Sequence, residues 1–297
     1  MKKLLLALLF AASAHAAEPL KIIVTYAAGG NTDLAARVYA KELARQGVET
    51  LVINKPGAEG LIGMQELMAA KPDGNTVMYS GSSGVVYNSA SNPAAYEIMT
   101  KIVPLMRGAT NGQMLISRKD SDIRTVEQLK SALKTRTVAV GNNGAITRIA
   151  LEELLGNSPN LIMVNYNGDN AAMLALMNKS IEVTTVTFLL EDRVAAGELN
   201  GLAVLTPKGR NGIKSLVELG YNISQEGWTG FWAPPGTPKE TRDRLYNMLE
   251  SARANEEVQK QILTVVHAGV PRKQTPDEFA RDIEREYQRV VKLLTNK

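Results

Sequence analysis

The chain has no cysteine and only two histidines in 297 residues, and these absences remove much chemistry at once. Without sulfur ligands there is no cysteine nucleophile, thiolate zinc site, cysteine-held iron–sulfur cluster or disulfide scaffold. A dominant charge is also lacking. Lys and Arg number 34 against 30 Asp and Glu, a net charge of +4, and setting aside Lys2 and Lys3 leaves +4 − 2 = +2. With no dense basic run either, no nucleic-acid partner is expected. Hydrophobic residues at 44% and charged residues at 22% describe an ordinary globular chain, and its length suggests two domains.

The one long apolar run is N-terminal. Lys2 and Lys3 precede Leu4 to Ala12, and Ala14-His15-Ala16 follows as an A-x-A cleavage pattern. The run is too short to span a bilayer and reads as a secretory signal over residues 1–16, with a mature start at Ala17 and export of the mature chain. No cysteine follows it for lipid attachment. His15 leaves with the signal, so His267 is the remaining imidazole. It sits after an apolar stretch and is read as a helix-end histidine. One imidazole makes no histidine-rich metal site, and no metal or cofactor is expected.

Short apolar runs alternate with helical patterns, which indicates an α/β protein. Strands are predicted at 20–24, 48–54 and 76–80, with helices at 33–46 and 61–70 between them, and this βαβαβ start implies a parallel sheet. A second series starts near residue 112, with strands at 113–117, 138–140, 161–164, 181–186 and 202–205. Its helices are predicted near 125–134, 146–155 and 171–177. The C-terminal part is helical, with capping boxes at Thr237 to Glu240 and Thr275 to Glu278, each with Pro at the first helical position. The last helix carries Phe279, Ile283, Tyr287, Val290, Val291 and Leu294 on one face and is expected to pack on the body.

Four Gly/Asn-rich loops join strand ends to helix starts, where ligands of parallel sheets bind. They are Tyr26 to Asp33, Ser80 to Gly84, Gly141 to Arg148 and Tyr166 to Asn170. Helix-start N–H groups and the helix dipole favour an anion there. Gly29, Gly30, Asn31, Thr32 and Asp33 are expected to supply backbone donors and caps. Asn143, Gly144, Ala145, Ile146 and Thr147 would form the opposing clamp. Tyr26, Ser82, Tyr166, Asp169 and Thr187 are weaker wall candidates, and Asp169 is equally read as an N-cap. Arg148 is open between a second-carboxylate partner and a solvated helix-start arginine. Ser131 to Lys134 fits S-x-x-K without its companion motifs, and Gly81 to Gly84 misses the G-x-S-x-G spacing, so neither reads as catalytic. Trp228 and Trp232 are read as packing residues, not a ligand cage.

Taken in order, these segments resemble the periplasmic solute receptors of tripartite tricarboxylate transporters, the Bug or tctC-like family. The likeness is carried by Tyr26 to Asp33, Val52 to Gly60, Lys71 to Thr76, Ala196-Gly197, Leu202 to Arg210, Leu219 to Tyr221, Trp228, and Ala233 to Pro238. The resemblance implies a two-lobed periplasmic binding protein of type II, a Venus flytrap with two interlobe crossings. Lobe one would comprise residues 17–109 and 233–297, and lobe two residues 110–232. It also implies that the loops at Gly29 to Asp33 and Gly141 to Thr147 grip a ligand carboxylate, often through ordered water. Departures are Asn31, where Gly or Pro is common, Glu182 for a usual Asp, Thr187 where another polar or acidic residue is frequent, and a short linker around Pro93 to Pro104.

The expected function is therefore a non-enzymatic, monomeric receptor that hands a small organic carboxylate to membrane permease subunits. A dicarboxylate, tricarboxylate, acidic amino acid or aromatic acid would each satisfy the pattern. The alternatives are a periplasmic hydrolase or lyase using carboxylates and Lys, and an envelope adaptor with no anion site.

Overall fold

The computed structural model describes residues 18–295, and the export signal read in residues 1–16 lies outside the described residues. The chain opens with β1 (Leu20–Val24), α1 (Asn31–Arg45), β2 (Thr50–Asn54), α2 (Leu61–Met68) and β3 (Thr76–Gly81), the alternation that the apolar periodicity predicts. It continues through α3 (Pro93–Met99) into β4 (Val103–Asn111). The stretch read as a short linker is thus a helix and the start of a strand. Asn92 Oδ1 accepts the Ala94 N–H at 3.1 Å and Pro93 takes the first turn, where its missing donor costs nothing.

The second series runs β5 (Gln113–Arg118), α4 (Val126–Thr135), β6 (Val138–Asn142), α5 (Ala145–Leu155), β7 (Leu161–Asn165), α6 (Asp169–Met177), β8 (Val183–Thr187), α7 (Glu191–Ala195) and β9 (Leu199–Val204). The chain then returns through β10 (Gly227–Ala233) and closes with α8 (Lys239–Ala254), α9 (Glu256–Thr264) and α10 (Pro276–Thr295).

These strands form two five-stranded sheets, ordered β2-β1-β3-β10-β4 and β7-β6-β8-β5-β9. The expected parallel pairing holds for β1 with β2 and β3, and for β6 with β7 and β8. It fails where the chain changes sheet. β10 lies antiparallel between β3 and β4, and β5 lies antiparallel to β8 and β9. β4 leads out of the first sheet and β10 leads back into it, so as neighbours they must run in opposite directions. β10 belongs to the first sheet, and the return crossing therefore precedes residue 227, ahead of the boundary expected at 233. The outward crossing is at Gly112, where an added Cβ would stand 1.9 Å from the Phe188 ring. Only glycine lets β4 pass into β5 there.

Each sheet is covered on both faces. In the first lobe α1, α8 and α9 bury Tyr39, Leu43, Leu245, Leu249 and Ile262 against Ile22, Val77 and Phe231. The other face packs Met64, Val85, Tyr87, Trp232, Phe279 and Ile283. Ala145, Ile146 and Ile149 of the second lobe join that same apolar cluster, so the two lobes meet through core contacts. The second lobe buries Leu129, Leu133, Leu151 and Leu154 on one face of its sheet and Met173, Leu176 and Phe188 on the other.

The caps divide by local chemistry. Thr275 and Glu278 form the reciprocal box, with the Glu278 N–H donating to Thr275 Oγ1 at 3.2 Å and the Thr275 N–H to Glu278 Oε2 at 2.8 Å. Thr237 forms no such box. Its hydroxyl turns back to the Pro234 carbonyl at 2.7 Å, because the preceding turn offers a nearer acceptor.

Candidate functional site

The carboxyl ends of β1, β3, β6 and β8 meet at the seam between the lobes, and they surround a hollow of about 670 Å³ counting its open mouth. Among the sequence candidates, Tyr26, Gly30, Asn31, Thr32, Ser82, Asn143, Ile146, Asp169 and Thr187 line it. Both lobes therefore contribute, and three helix starts (α1, α5 and α6) converge on one space.

Gly29, Asp33, Gly144, Ala145, Thr147 and Tyr166 are not among the lining residues. Asp33 is turned inward as a buttress. Its Oδ2 accepts the Gly29 N–H and the Arg37 Nε, each at 2.9 Å, and its Oδ1 accepts Asn54 Nδ2 at 2.9 Å. Burial opposes its ionisation, but the bonds from Arg37, Gly29 and Asn54 outweigh it and hold the carboxyl below its ordinary value. Thr147 is fully buried and its hydroxyl donates to Asn143 Oδ1 at 2.9 Å and to the Gly144 carbonyl at 3.0 Å. Gly144 and Ala145 are the N-cap and first residue of α5. Tyr166 packs its ring against the second lobe's core.

The expected caps are also rearranged. Gly30, not Asn31 or Thr32, is the N-cap of α1. Asn31 donates Nδ2 to the Val266 carbonyl at 2.7 Å, a partner 235 residues away. Gly168 is the N-cap of α6, and Asp169 is that helix's first residue. Arg148 pairs with Glu152 of its own helix at 3.5 Å and does not line the hollow.

Asn143 is the hub of the second lobe's wall. Its Nδ2 donates to Gln113 Oε1 at 3.0 Å and to Asp169 Oδ1 at 2.6 Å, and its Oδ1 accepts the hydroxyls of Thr147 and Thr185. Asp169 also accepts the Thr187 N–H at 3.0 Å and the Thr187 hydroxyl. Burial pushes the Asp169 carboxyl up, against the pull of Thr187 and Asn143. On the other wall, burial and the Glu59 carboxylate push the Tyr26 phenol up, so it stays neutral near pH 7.

Sequence reasoning missed Ser83, Asn111, Gln113 and the stretch Gly227 to Thr229 as lining residues. Asn111, Gln113, Gly227 and Trp228 belong to the two crossings, and a strand that passes between lobes must run along the floor of the cleft. Trp228 both packs, with its ring 5.9 Å from Trp232, and lines the hollow. A second tie spans the lobes outside the hollow. His267 Nδ1 lies 2.9 Å from Glu191 Oε1, and Arg210 grips the same carboxylate at 2.6 and 2.8 Å. His267 follows the end of α9 as expected, but the link to Glu191 was not legible. No group of three or more His, Asp or Glu among the described residues is placed to hold a metal ion.

Comparison with known proteins bears on this architecture. A family model described as the tripartite tricarboxylate transporter family receptor matches residues 35–295. A UPF0065 protein of Bordetella pertussis is 30% identical over 265 residues, spanning 82% of this chain and 79% of that protein. The structure of the periplasmic binding protein BugD is similar with a TM-score of 0.83 at 24% identity, covering 94% of this chain and 97% of that one. MatC from Rhodopseudomonas palustris with bound malate is similar with a TM-score of 0.83 at 22% identity, covering 93% and 98%. The fold is that of the two-lobed periplasmic binding proteins.

Proposed function

The chain belongs to the tripartite tricarboxylate transporter receptor family, and on that premise we propose that it captures a small organic carboxylate in the interlobe cleft. The family is one of solute-binding receptors, so the hydrolase and lyase alternatives fall away. Residues 18–111 with 227–295 act as one lobe and the intervening residues as the other, closing around the ligand in the periplasm. Permease subunits in the membrane then read the closed shape.

The observation that carries this reading is the convergence of the α1, α5 and α6 starts on one hollow lined by hydroxyls and amides. Backbone N–H groups at helix starts favour an anion without needing a basic side chain, and desolvation in a closed cleft strengthens them. Asp33 supports the first loop by fixing Gly29, and Asn143 supports the second. The malate held by MatC, a small dicarboxylate on a similar fold, favours the same ligand class here.

The test is a thermal-shift and calorimetry panel of mono-, di- and tricarboxylates on protein that has been unfolded, washed and refolded to remove any passenger. A cognate acid at a hundredfold excess over its Kd raises stability by about 2.7 kcal/mol. A panel in which no carboxylate stabilises the protein, or in which a bound acid is turned over, overturns the proposal.

A further inference from the structure

One side chain in the cleft has the sign opposite to that expected of a carboxylate receptor. Asp169 is 6% exposed and lines the hollow, and its three hydrogen-bond donors, Asn143 Nδ2 and the N–H and hydroxyl of Thr187, are all neutral. Among the described residues, no Lys, Arg or His lines the hollow. The arginines of the neighbourhood pair with carboxylates of the protein, Arg37 with Asp33, Arg107 with Asp282, Arg148 with Glu152 and Arg210 with Glu191, the Nε atoms of Arg107 and Arg148 being left without a partner. A buried carboxylate without a counter-charge is unfavourable, and a second carboxylate from the ligand adds repulsion.

The hollow also has a surplus of acceptors. Asn31 Oδ1, Asn111 Oδ1 and Asn167 Oδ1 are buried without a hydrogen-bond partner, and all three residues line the cleft. For Asn31 the orientation is fixed, because its Nδ2 donates to the Val266 carbonyl. A carboxylate only accepts, so it satisfies none of these oxygens. They call for a ligand that brings N–H or O–H donors of its own.

We infer that Asp169 pairs with an ammonium group of the ligand, so that the substrate is an amino-bearing carboxylate with its anion at the helix starts and its cation at Asp169. This rests on the carboxylate reading of the cleft and narrows it. The ammonium supplies the missing counter-charge and donors for neighbouring amide oxygens. Asp169 is a specificity residue in this scheme.

The test uses matched acids that differ only in one substituent, ammonium, hydroxyl or hydrogen, titrated by calorimetry into refolded full-length protein. Suitable sets are glutamate, 2-hydroxyglutarate and glutarate; phenylalanine, phenyllactate and phenylpropionate; and γ-aminobutyrate against butyrate. In at least one set the ammonium member is expected to bind roughly tenfold or more tightly than the hydrogen member. Asp169→Asn is expected to bring that ratio close to one, a change in selectivity that a merely structural role for Asp169 does not produce. If Asp169→Asn fails to fold, the wild-type ratio still decides. Acids that bind equally well or better without the ammonium overturn this inference and leave the carboxylate reading intact. If no member of any set binds while another acid of the carboxylate panel does, this inference falls and the carboxylate reading stands; if nothing on that panel binds, both fall.

Discussion

Ser83 Oγ accepts the backbone N–H of Ile146 at 3.2 Å, tying the first lobe's β3–α3 loop to the start of α5 in the second. The bond spans the cleft and exists only while the lobes are together. It also occupies one of the helix-start donors that sequence reasoning assigned to the ligand. Ser83→Ala is expected to weaken closure by about 1 kcal/mol, lowering ligand affinity roughly fivefold. Calorimetry with the cognate acid checks this, and affinity unchanged from wild type contradicts the clasp.

Asp33 props the first loop and does not line the hollow. Asp33→Ala removes the partner of the Gly29 N–H and one of the two acceptors of the Asn54 amide, which keeps the Tyr26 carbonyl, and is expected to cost about 1 kcal/mol of stability, with little from the half-exposed Arg37 pair. Its folded pKa lies below the ordinary 3.8, so its contribution is complete above about pH 4 and is lost as pH falls through the lowered value. Denaturant melts between pH 5 and pH 2 should therefore show the wild type converging on the variant at the acid end.

Trp228 joins the cleft floor to the body. Its indole N–H donates to Glu286 Oε2 at 2.7 Å, and the Arg107 guanidinium lies 5.1 Å from its ring centre. Burial pushes the Glu286 carboxyl up, and the Trp228 bond with the nearby Arg289 and Arg107 charges partly offsets this. Trp228→Phe removes that donor and should cost about 2 kcal/mol. The chain has two tryptophans and Trp232 is 1% exposed within the core. Ligand-dependent emission should accordingly disappear in Trp228→Phe, as a fluorescence titration would show.

Gly84 lets the chain after β3 run against the loop at Glu59. An added Cβ would lie 2.7 Å from the Glu59 backbone carbonyl, which cannot turn aside as a side chain does. Gly84→Ala should cost about 1–3 kcal/mol and displace the adjacent Ser83. Thermal melts read the first effect. Loss of affinity beyond that of Ser83→Ala reads the second.

Much of the fold was legible because it depends on local spacing. β1 occupies the predicted 20–24, and the Thr275 box forms because both of its partners lie within one turn. β10 and β4 escaped notice for a related reason. Gly227 to Ala233 has neither strict alternation nor the flanking βα turn of the other strands, and its place between β3 and β4 depends on a crossing.

By itself, the sequence determined the α/β class, the family and the loops around which a ligand site would form. Strand and helix periods, turn glycines and motif order are all properties of neighbouring residues. Tertiary structure decided which groups in those loops face the hollow. Asn31 is held by Val266, Asp33 by Asn54 and Asn143 by Gln113, and no local rule specifies such distant partners. A polar side chain can satisfy either the scaffold or a guest, and only packing shows which choice has been made.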